Sequence, residues 1–598
     1  MERTMQPETR RDRIRRWLFS AALSAALLAA TLLVTKATYL NNDDTNILYV
    51  LAGYRTGAPY PAHRFVNILL TAPVYALYRL APAVPWWTVW HVFALWLSLT
   101  VLCASLGRIG AGVGCRRWLS YAAFTLLYLA GYVYAVYTVS FTLTAGLLGA
   151  AGAALLLSLD GRRDGKAARF FVCVGSAGLL FLCVLMRRSS GVCAACFYGA
   201  ALLYRLLRDG RDGGARAVRR TLLCAGGAAL AFAVALTSDA LGVRLTNPAD
   251  YPAFDAARGH FVDYPHATYD DDPAFYAALG WDGTVYDLAD SFCYLDPAVT
   301  AESMEAAVAH ASPAGAGETG FSDKLKAAFV RGEQFFRGSG VSQRLLALPA
   351  ALTLLCALLY AWAKAKAEAK AKRNGAALLC ALATAAGAFL LCAYLCYTGR
   401  FPVRTFQLIA LLAASVLAPC CLLLYVPGGQ GGRGRKRAWR LIAAGALGLC
   451  LLWSAVGGVR AALTYDKTAV VAKNDAAERY AAAHKENVYI TDVSSIENLS
   501  LYTVWGEDAP TNLVDWGGTS MHAGWKDAQL SQNGLLPFTG DVFRRENVYF
   551  LTERDGKYLD MLFAYLSAHA GASGYTLTDT VDGDIAVYRF EFIKEAGA

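Results

Sequence analysis

Apolar residues in this chain are grouped in long runs, and short basic segments separate the runs. A run of roughly 20 apolar residues is long enough to cross a bilayer as one helix. We therefore expect a polytopic α-helical membrane protein. The eleven spans that this pattern predicts lie near residues 17–38, 86–106, 118–137, 138–159, 168–186, 190–206, 221–239, 344–363, 376–397, 403–425 and 440–460.

One further apolar segment, FVNILLTAPVYALY, is too short to be a comfortable span. It lies between Arg64 and Arg79 and contains Pro73. A spanning helix needs roughly 20 residues, so we expect an interfacial or re-entrant helix here.

Clusters of Lys and Arg fix the expected orientation, because cytoplasmic loops are enriched in these residues. With Arg10 to Arg16 in the cytosol, every strongly basic cluster falls on the cytosolic side of the predicted topology. We then expect a multi-pass protein of the cytoplasmic membrane, with its N-terminus inside and its C-terminal domain outside. The predicted parts are a cytosolic tail (1–16), a transmembrane domain (17–464) with external loops at 39–85 and 240–342, and an extracytoplasmic domain (465–598).

The last part of the chain has the pattern of a small α/β domain. ENVYITDV and ENVYFLTE have the character of buried strands, and YLDMLFAYLSAHAG that of an amphipathic helix ended by Gly571. The tail YTLTDTVDGDIAVYRFEFI alternates apolar and polar residues around Asp-Gly, which predicts a hairpin.

Composition agrees with a membrane protein: 56% of the 598 residues are hydrophobic and 17% are charged. The net charge of +10 does not indicate nucleic-acid binding, because the basic residues lie between the apolar runs. The 15 cysteines lie mostly within those runs, which is typical of small buried residues and not of a disulfide framework or metal site. No strand is followed by GxGxxG or a Walker-type loop, so soluble nucleotide chemistry is not supported.

The acidic pair Asp43 and Asp44 follows the first predicted span directly, on the external side. One interpretation is that these carboxylates cap a helix beginning at TNILYVLAG. The other is that one of them is a general base at the membrane surface. One Asp can cap while its neighbour faces a site.

Four arginines break the positive-inside pattern. Arg187 and Arg188 lie in one predicted external turn, and Arg400 and Arg404 lie in another. Guanidinium groups bind phosphate bidentately, so these residues are candidates to hold the phosphate of a lipid carrier. The alternative is that they reach lipid headgroups or pair with acidic loop residues.

Several further residues have two interpretations. His63 and Arg64 precede the short apolar helix and are candidate substrate ligands; an ordinary interfacial histidine is the alternative. DDDP at 270–273 suggests a divalent ion, but a turn that caps the next helix is favoured. Trp505, Trp516 and Trp525 have the chemistry for stacking on sugars or for anchoring at a membrane interface.

The arrangement resembles the GT-C superfamily of integral membrane glycosyltransferases. The resemblance is carried by NNDD after the first span, by HRFVNILLTAPVYALYRLAPAVPWW, by about eleven spans and by an external C-terminal domain. It is most similar to bacterial members that share an NDD motif there. The family's carrier-binding residues have no one-to-one match in this chain.

The resemblance implies a transferase that moves a sugar from a polyprenyl-phosphate donor to an envelope glycan, lipid or protein acceptor on the outer face. The general base then maps onto Asp43 or Asp44, with a slight preference for Asp43. No cofactor is expected, and a divalent cation lacks further ligands beside the acidic pair. A flippase for lipid-linked glycans and a non-catalytic envelope assembly protein are the alternatives.

Overall fold

The computed structural model describes residues 9–593 except 161–163, 213, 311–320, 339, 365–367, 401, 426–434 and 497. Most of the described chain is helical. The helices are α1 (Arg10–Val34), α2 (Asn42–Ala52), α3 (Ile68–Leu80), α4 (Trp86–Val113), α5 (Arg117–Leu127), α6 (Val133–Tyr137), α7 (Phe141–Leu157), α8 (Lys166–Met186), α9 (Arg188–Asp212), α10 (Gly214–Thr246), α11 (Tyr251–Asp263), α12 (Pro273–Ala278), α13 (Gly283–Asp290), α14 (Ala301–Ala309), α15 (Phe321–Gly338), α16 (Gly340–Lys364), α17 (Glu368–Thr398), α18 (Val403–Leu424), α19 (Arg435–Thr464), α20 (Thr468–Ala483), α21 (Gly524–Gln532) and α22 (Lys557–Ala570).

Ten helical segments of the described chain are long and apolar enough to span a membrane. They confirm the predicted fold class, a polytopic helical membrane protein. The eleventh expected span, near 138–159, corresponds to α7, which has 17 residues and is buried along its whole length. A helix that is apolar all round belongs inside a bundle, and α7 packs against α4, α8, α9 and α18.

The short apolar segment after Arg64 forms α3, which has 13 residues with Pro73 inside. This length is well below that of a span, as the sequence predicted. Near it, β1 (Thr38–Tyr39) pairs in parallel with β2 (Thr138–Val139). This pairing holds the segment that follows α1 against the start of α7.

The C-terminal residues fold around a five-stranded mixed sheet. Its strands are β3 (Val488–Thr491), β4 (Leu513–Asp515), β5 (Val548–Glu553), β6 (Ala572–Val581) and β7 (Ile585–Phe592), in the spatial order β4-β3-β5-β7-β6. The first three strands are parallel, and β7 pairs antiparallel with both β5 and β6. The predicted strands, the α22 helix ended by Gly571 and the final hairpin are all confirmed.

The segment that connects α10 to α15 is built against this sheet. Helices α11, α13 and α14 share one hydrophobic core with the sheet and α22, which includes Phe261, Trp281, Trp516 and Phe550. The antiparallel bridge between Cys293 and Gly517 links the two parts directly. Two stretches far apart in sequence therefore form one module at one end of the helix bundle, which we call the cap module (251–309 and 468–593).

Candidate active site

A cavity of about 410 Å³ lies where the cap module meets the helix bundle. Its wall is strongly charged, with arginines and carboxylates from the bundle and from both stretches of the cap module. The residues that line it are Asn41, Asn42, Asp43, Thr45, Asn46, Tyr49, Arg55, Arg64, Phe65, Arg187, Arg258, Asp263, Phe292, Arg400, Arg404, Glu478, Thr491, Asp492, Val493, Ser494, Ile496, Asn498, Asp515, Gly517, Gly518, Thr519 and Ser520.

Asp43 lies in the first turn of α2 and faces this cavity. Its Oδ2 accepts hydrogen bonds from Arg404 Nη1 at 2.6 Å and from Asn41 Nδ2 at 3.0 Å. Burial alone would raise the pKa of this carboxyl, but the charges of Arg404 and Arg187 outweigh burial and lower the pKa below its ordinary value. Asp43 is therefore an ionised carboxylate at neutral pH.

Asp44 points the other way, into the helix bundle. Its side chain is fully buried; Oδ1 accepts a hydrogen bond from the Phe141 N–H at 2.8 Å and lies 3.4 Å from His91 Nε2. Phe141 is the first residue of α7, so Asp44 caps that helix and not α2. Burial raises the pKa of this carboxyl.

Arg187 lies in the turn between α8 and α9, on the cavity wall. Its Nε donates to Ser189 Oγ at 2.9 Å, and its guanidinium carbon lies 4.3 Å from the centre of the Phe141 ring. Its buried Nη1 has no hydrogen-bond partner, and among the described residues it pairs with no carboxylate. Burial, and then the charge of Arg404, lowers the pKa of Arg187 to about 9, so the group is charged at neutral pH and short of an anionic partner.

Arg188, the next residue, is not part of the cavity wall. Its side chain is 70% exposed and lies 3.5 Å from Asp239. Of the two arginines predicted in this turn, the structure therefore brings only Arg187 to Asp43.

Arg400 and Arg404 both line the cavity. The turn before α18 is made by Gly399, whose φ of 76° is the left-handed conformation that glycine adopts most easily. Arg400 pairs with Asp263 of α11, while Arg404, one residue into α18, pairs with Asp43. Both arginines therefore pair with carboxylates, which is the alternative that the sequence left open, and Arg404 does so with Asp43 itself.

Arg64 lines the cavity, and His63 lies behind the wall. Arg64 forms an ion pair with Asp255, which also lies 3.1 Å from Arg258. His63 is buried; its Nδ1 accepts a long hydrogen bond from the Phe65 N–H, and burial lowers its pKa to about 3. His63 is therefore neutral, and its side chain supports the turn that presents Arg64 and Phe65.

The cap module contributes residues that the sequence pattern did not single out. Strands β3 and β4 end at the cavity, and the residues that follow them, 492–494 and 517–520, supply backbone groups and hydroxyls. Small ligands commonly bind at the carboxyl ends of parallel strands, so ITDVSS and VDWGGTS carried a usable signal. Arg258 and Asp263 carried none, because their position depends on how the 251–309 stretch packs.

A buried network ties α2 to the cap module beside the cavity. Glu478 accepts hydrogen bonds from Tyr49 Oη at 2.8 Å and Asn498 Nδ2 at 2.7 Å, and Arg55 Nη2 lies 3.8 Å from the same carboxylate. Glu478 itself is fully buried. These contacts fix the helix that carries Asp43 against α20 of the cap module.

Other candidates have structural roles. Trp516 stacks on Phe550 inside the cap module, and Trp525 is buried against Tyr251, so neither is a sugar platform or a membrane anchor. Asp272 caps α12 through the Phe275 N–H, as the favoured interpretation of DDDP predicted. Within the described ranges, no group of three or more His, Cys, Asp or Glu side chains is arranged to hold a metal ion.

Comparison with known proteins gives only a distant likeness. No protein-family model and no curated protein matches this chain. The crystal structure of ArnT from Cupriavidus metallidurans bound to undecaprenyl phosphate is 12% identical over 96% of this chain and 97% of that one, with a TM-score of 0.39. The apo state of the same protein is 13% identical over the same shares, with a TM-score of 0.38. At TM-scores below 0.5 this likeness is too weak to bear on the reaction.

Proposed function

We propose that this chain is a membrane glycosyltransferase that moves a sugar from a polyprenyl-phosphate donor to an acceptor. The observation that carries the proposal is the meeting of an ionised carboxylate, Asp43, with Arg187, Arg400 and Arg404 on one cavity wall at the end of the helix bundle. The cap module covers this cavity. The reaction takes place on the side of the membrane that carries the cap module, which the basic clusters predict to be the outer one.

The arginines suit a donor whose phosphate sits at the membrane surface. Among the described residues, the buried Nη1 group of Arg187 has no hydrogen-bond partner, and Arg404 donates a hydrogen bond to the carboxylate of Asp43. A phosphate between them satisfies both guanidinium groups with charge-assisted hydrogen bonds. The same contacts stabilise the charge that develops on the phosphate as it leaves.

Asp43 is placed to act as the general base. The acceptor hydroxyl attacks the anomeric carbon of the donor sugar, and the bond from that carbon to the carrier phosphate oxygen breaks. The phosphate oxygen leaves with the bonding electrons, and Asp43 takes the hydroxyl proton. A single displacement of this kind inverts the configuration at the anomeric carbon.

The polar loops of the cap module suit the sugar and its acceptor. Residues 492–494 and 517–520 line the same cavity as Asp43 and offer hydroxyl and backbone groups. Sugars present several hydroxyls that form hydrogen bonds with such groups. A buried site built to bond these hydroxyls strongly rejects an analogue that lacks one of them.

The test compares envelope glycans and polyprenyl-linked sugars in cells carrying the wild-type chain, a deletion, Asp43→Asn or Asp44→Asn. We expect Asp43→Asn to match the deletion, with one glycan lost and its lipid-linked donor accumulated. Asp44→Asn is the matched control, because the amide oxygen of Asn still accepts a hydrogen bond from the Phe141 N–H. We expect it to keep the glycan.

Normal expression of Asp43→Asn is a condition of the comparison and is checked by immunoblot of the membrane fraction. A normal glycan profile with Asp43→Asn would rule out the catalytic role, and a flippase or an assembly protein would then explain the cavity better. Equal losses with both variants would place the defect in the folding of α2 and not in proton transfer.

A further inference from the structure

A second candidate site has its charged end at the opposite end of the bundle from Asp43. A groove of about 810 Å³ runs between α8 and α10. Along α8, which is roughly 30 Å long at 1.5 Å per residue, the groove runs from Lys166, the first residue of the helix, to Phe181, and the Asp43 cavity lies beyond the last residue. The apolar wall of the groove is formed by Phe170, Val174, Phe181, Leu223, Leu230 and Val234.

One end of the groove is basic. Lys166, Arg169, Arg205 and Arg220 line it, against a single carboxylate, Asp209. Arg205 already has partners within the protein, because it donates hydrogen bonds to the Leu159 carbonyl at 2.7 Å and to Asp209 at 2.6 Å. Lys166 and Arg220 are exposed, and neither has a carboxylate partner in the described part of the chain.

The floor of the groove is open because small residues line it. No atom of the described residues lies within 4 Å of the position that a Cβ would take at Gly178 or Gly227. Both residues face the groove from neighbouring helices. The space therefore accepts atoms from outside the chain without displacing the protein.

We propose that this groove binds one phospholipid with a net negative headgroup. The headgroup phosphate lies beside Lys166, Arg169 and Arg220, and the acyl chains lie along the apolar wall. The charges decide the class of lipid: a wall with four cations and one anion favours a headgroup that keeps a net negative charge over a zwitterionic one. The site is separate from the transfer reaction and does not depend on it.

The experiment measures lipid retention by native mass spectrometry on the purified full-length chain in mild detergent. We expect one retained phosphatidylglycerol and weaker retention of phosphatidylcholine. Lys166→Gln with Arg220→Gln should weaken phosphatidylglycerol binding about 30-fold, since each of the two basic residues near the headgroup contributes ~1 kcal/mol. Gly227→Leu should weaken it as well, because the new side chain fills the groove without changing a charge.

Two neighbouring residues provide matched controls. Arg219 is exposed beside Arg220, and Gly226 is open beside Gly227, but neither lines the groove. Arg219→Gln and Gly226→Leu should leave retention unchanged.

Three results would overturn the proposal. Equal retention of both phospholipids would mean ordinary annular contact. A loss with Arg219→Gln as large as that with the Lys166→Gln and Arg220→Gln double variant would mean a general basic surface. Displacement of phosphatidylglycerol by an equimolar polyprenyl phosphate would mean that the groove belongs to the carrier.

Discussion

At the scale of single residues, the candidate site depends on which way neighbouring side chains point. Asp43 and Asp44 are adjacent on α2, and 3.6 residues per turn separate their directions by roughly 100°. One therefore faces the cavity while the other caps α7 inside the bundle. Arg187 and Arg188 are also neighbours with different surroundings. Arg187 lies on the cavity wall, and the side chain of Arg188 is exposed.

Arg187 and Arg188 give the sharpest residue-scale prediction. Arg187→Gln removes a buried cation that pairs with no carboxylate in the described part of the chain. We expect kcat/KM for the lipid-linked donor to fall about 10²-fold, as when one preorganised donor is lost. Arg188→Gln removes only an exposed ion pair, which is worth ~0–1 kcal/mol. Kinetics of both purified variants check this, and equal losses would contradict a phosphate role specific to Arg187.

Asp43 and His63 are not expected to give transfer a pH dependence near neutral pH. The pKa of Asp43 is lowered, so this acid stays ionised at every pH well above its ordinary value of 3.8. The pKa of His63 is lowered to about 3, so this base stays neutral above that pH. Neither group changes charge between roughly pH 5.5 and 8, where free Asp is already ionised and free His titrates. We therefore expect that these two groups do not make the transfer rate vary with pH in this range.

The rate of donor consumption across that pH range is the measurement, with His63→Gln as the comparison. We expect the two profiles to have the same shape. An acid limb near the ordinary pKa of histidine, present in the wild type and missing in His63→Gln, would show that His63 carries a proton or binds the phosphate directly.

At the scale of elements, part of the cavity wall is formed where the loop after β4 closely approaches the segment around Phe292. The backbone of Gly517 touches that of Phe292, and a Cβ at Gly517 would lie 2.0 Å from the Phe292 carbonyl oxygen. The Gly518 N–H also donates to this oxygen at 2.8 Å. The loop after β4 is thereby fixed to the 251–309 stretch at the cavity wall.

We expect Gly517→Ala to destabilise the protein by ~1–3 kcal/mol, the usual cost of forcing extra atoms into a packed site. Because the clash is with backbone, the loop must move, and transfer should fall as well. Gly259→Ala is the control, since nothing lies within 4 Å of its Cβ position on α11 and Ala is the better helix former. Thermal unfolding midpoints compare the two, and an unchanged midpoint for Gly517→Ala would contradict the close approach.

Local patterns predicted most elements, and long-range packing set the rest. The strands around Ile490 and Phe550 and the hairpin at Asp582 follow from alternation and turn chemistry, which are local. The position of Arg258 beside the cavity depends on the shared core of α11 and the sheet, which no local pattern encodes. Likewise, the sequence placed both Asp43 and Asp44 at the end of the first span but did not tell which one faces the cavity.

At the scale of the whole molecule, the two ends of the bundle differ in chemistry. The cap module and the Asp43 cavity lie at one end, where the C-terminal sheet provides polar loops. The other end carries basic residues such as Arg108, Arg117 and Lys166, near the starts or ends of α4, α5 and α8. Since basic ends of spans face the cytosol, the cap module is expected outside.

Reporter fusions check this orientation. Alkaline phosphatase needs an oxidising compartment for its disulfides, so a fusion after Phe592 should be active and a fusion after Asp212, between α9 and α10, should be inactive. Green fluorescent protein at the same two positions provides the reciprocal control, with fluorescence expected only at Asp212. The opposite pattern would put Asp43 in the cytosol, where an acceptor outside the membrane is out of reach. The proposed transfer would then have to use a cytosolic acceptor, although the carboxylate and the arginines would still form the same cavity.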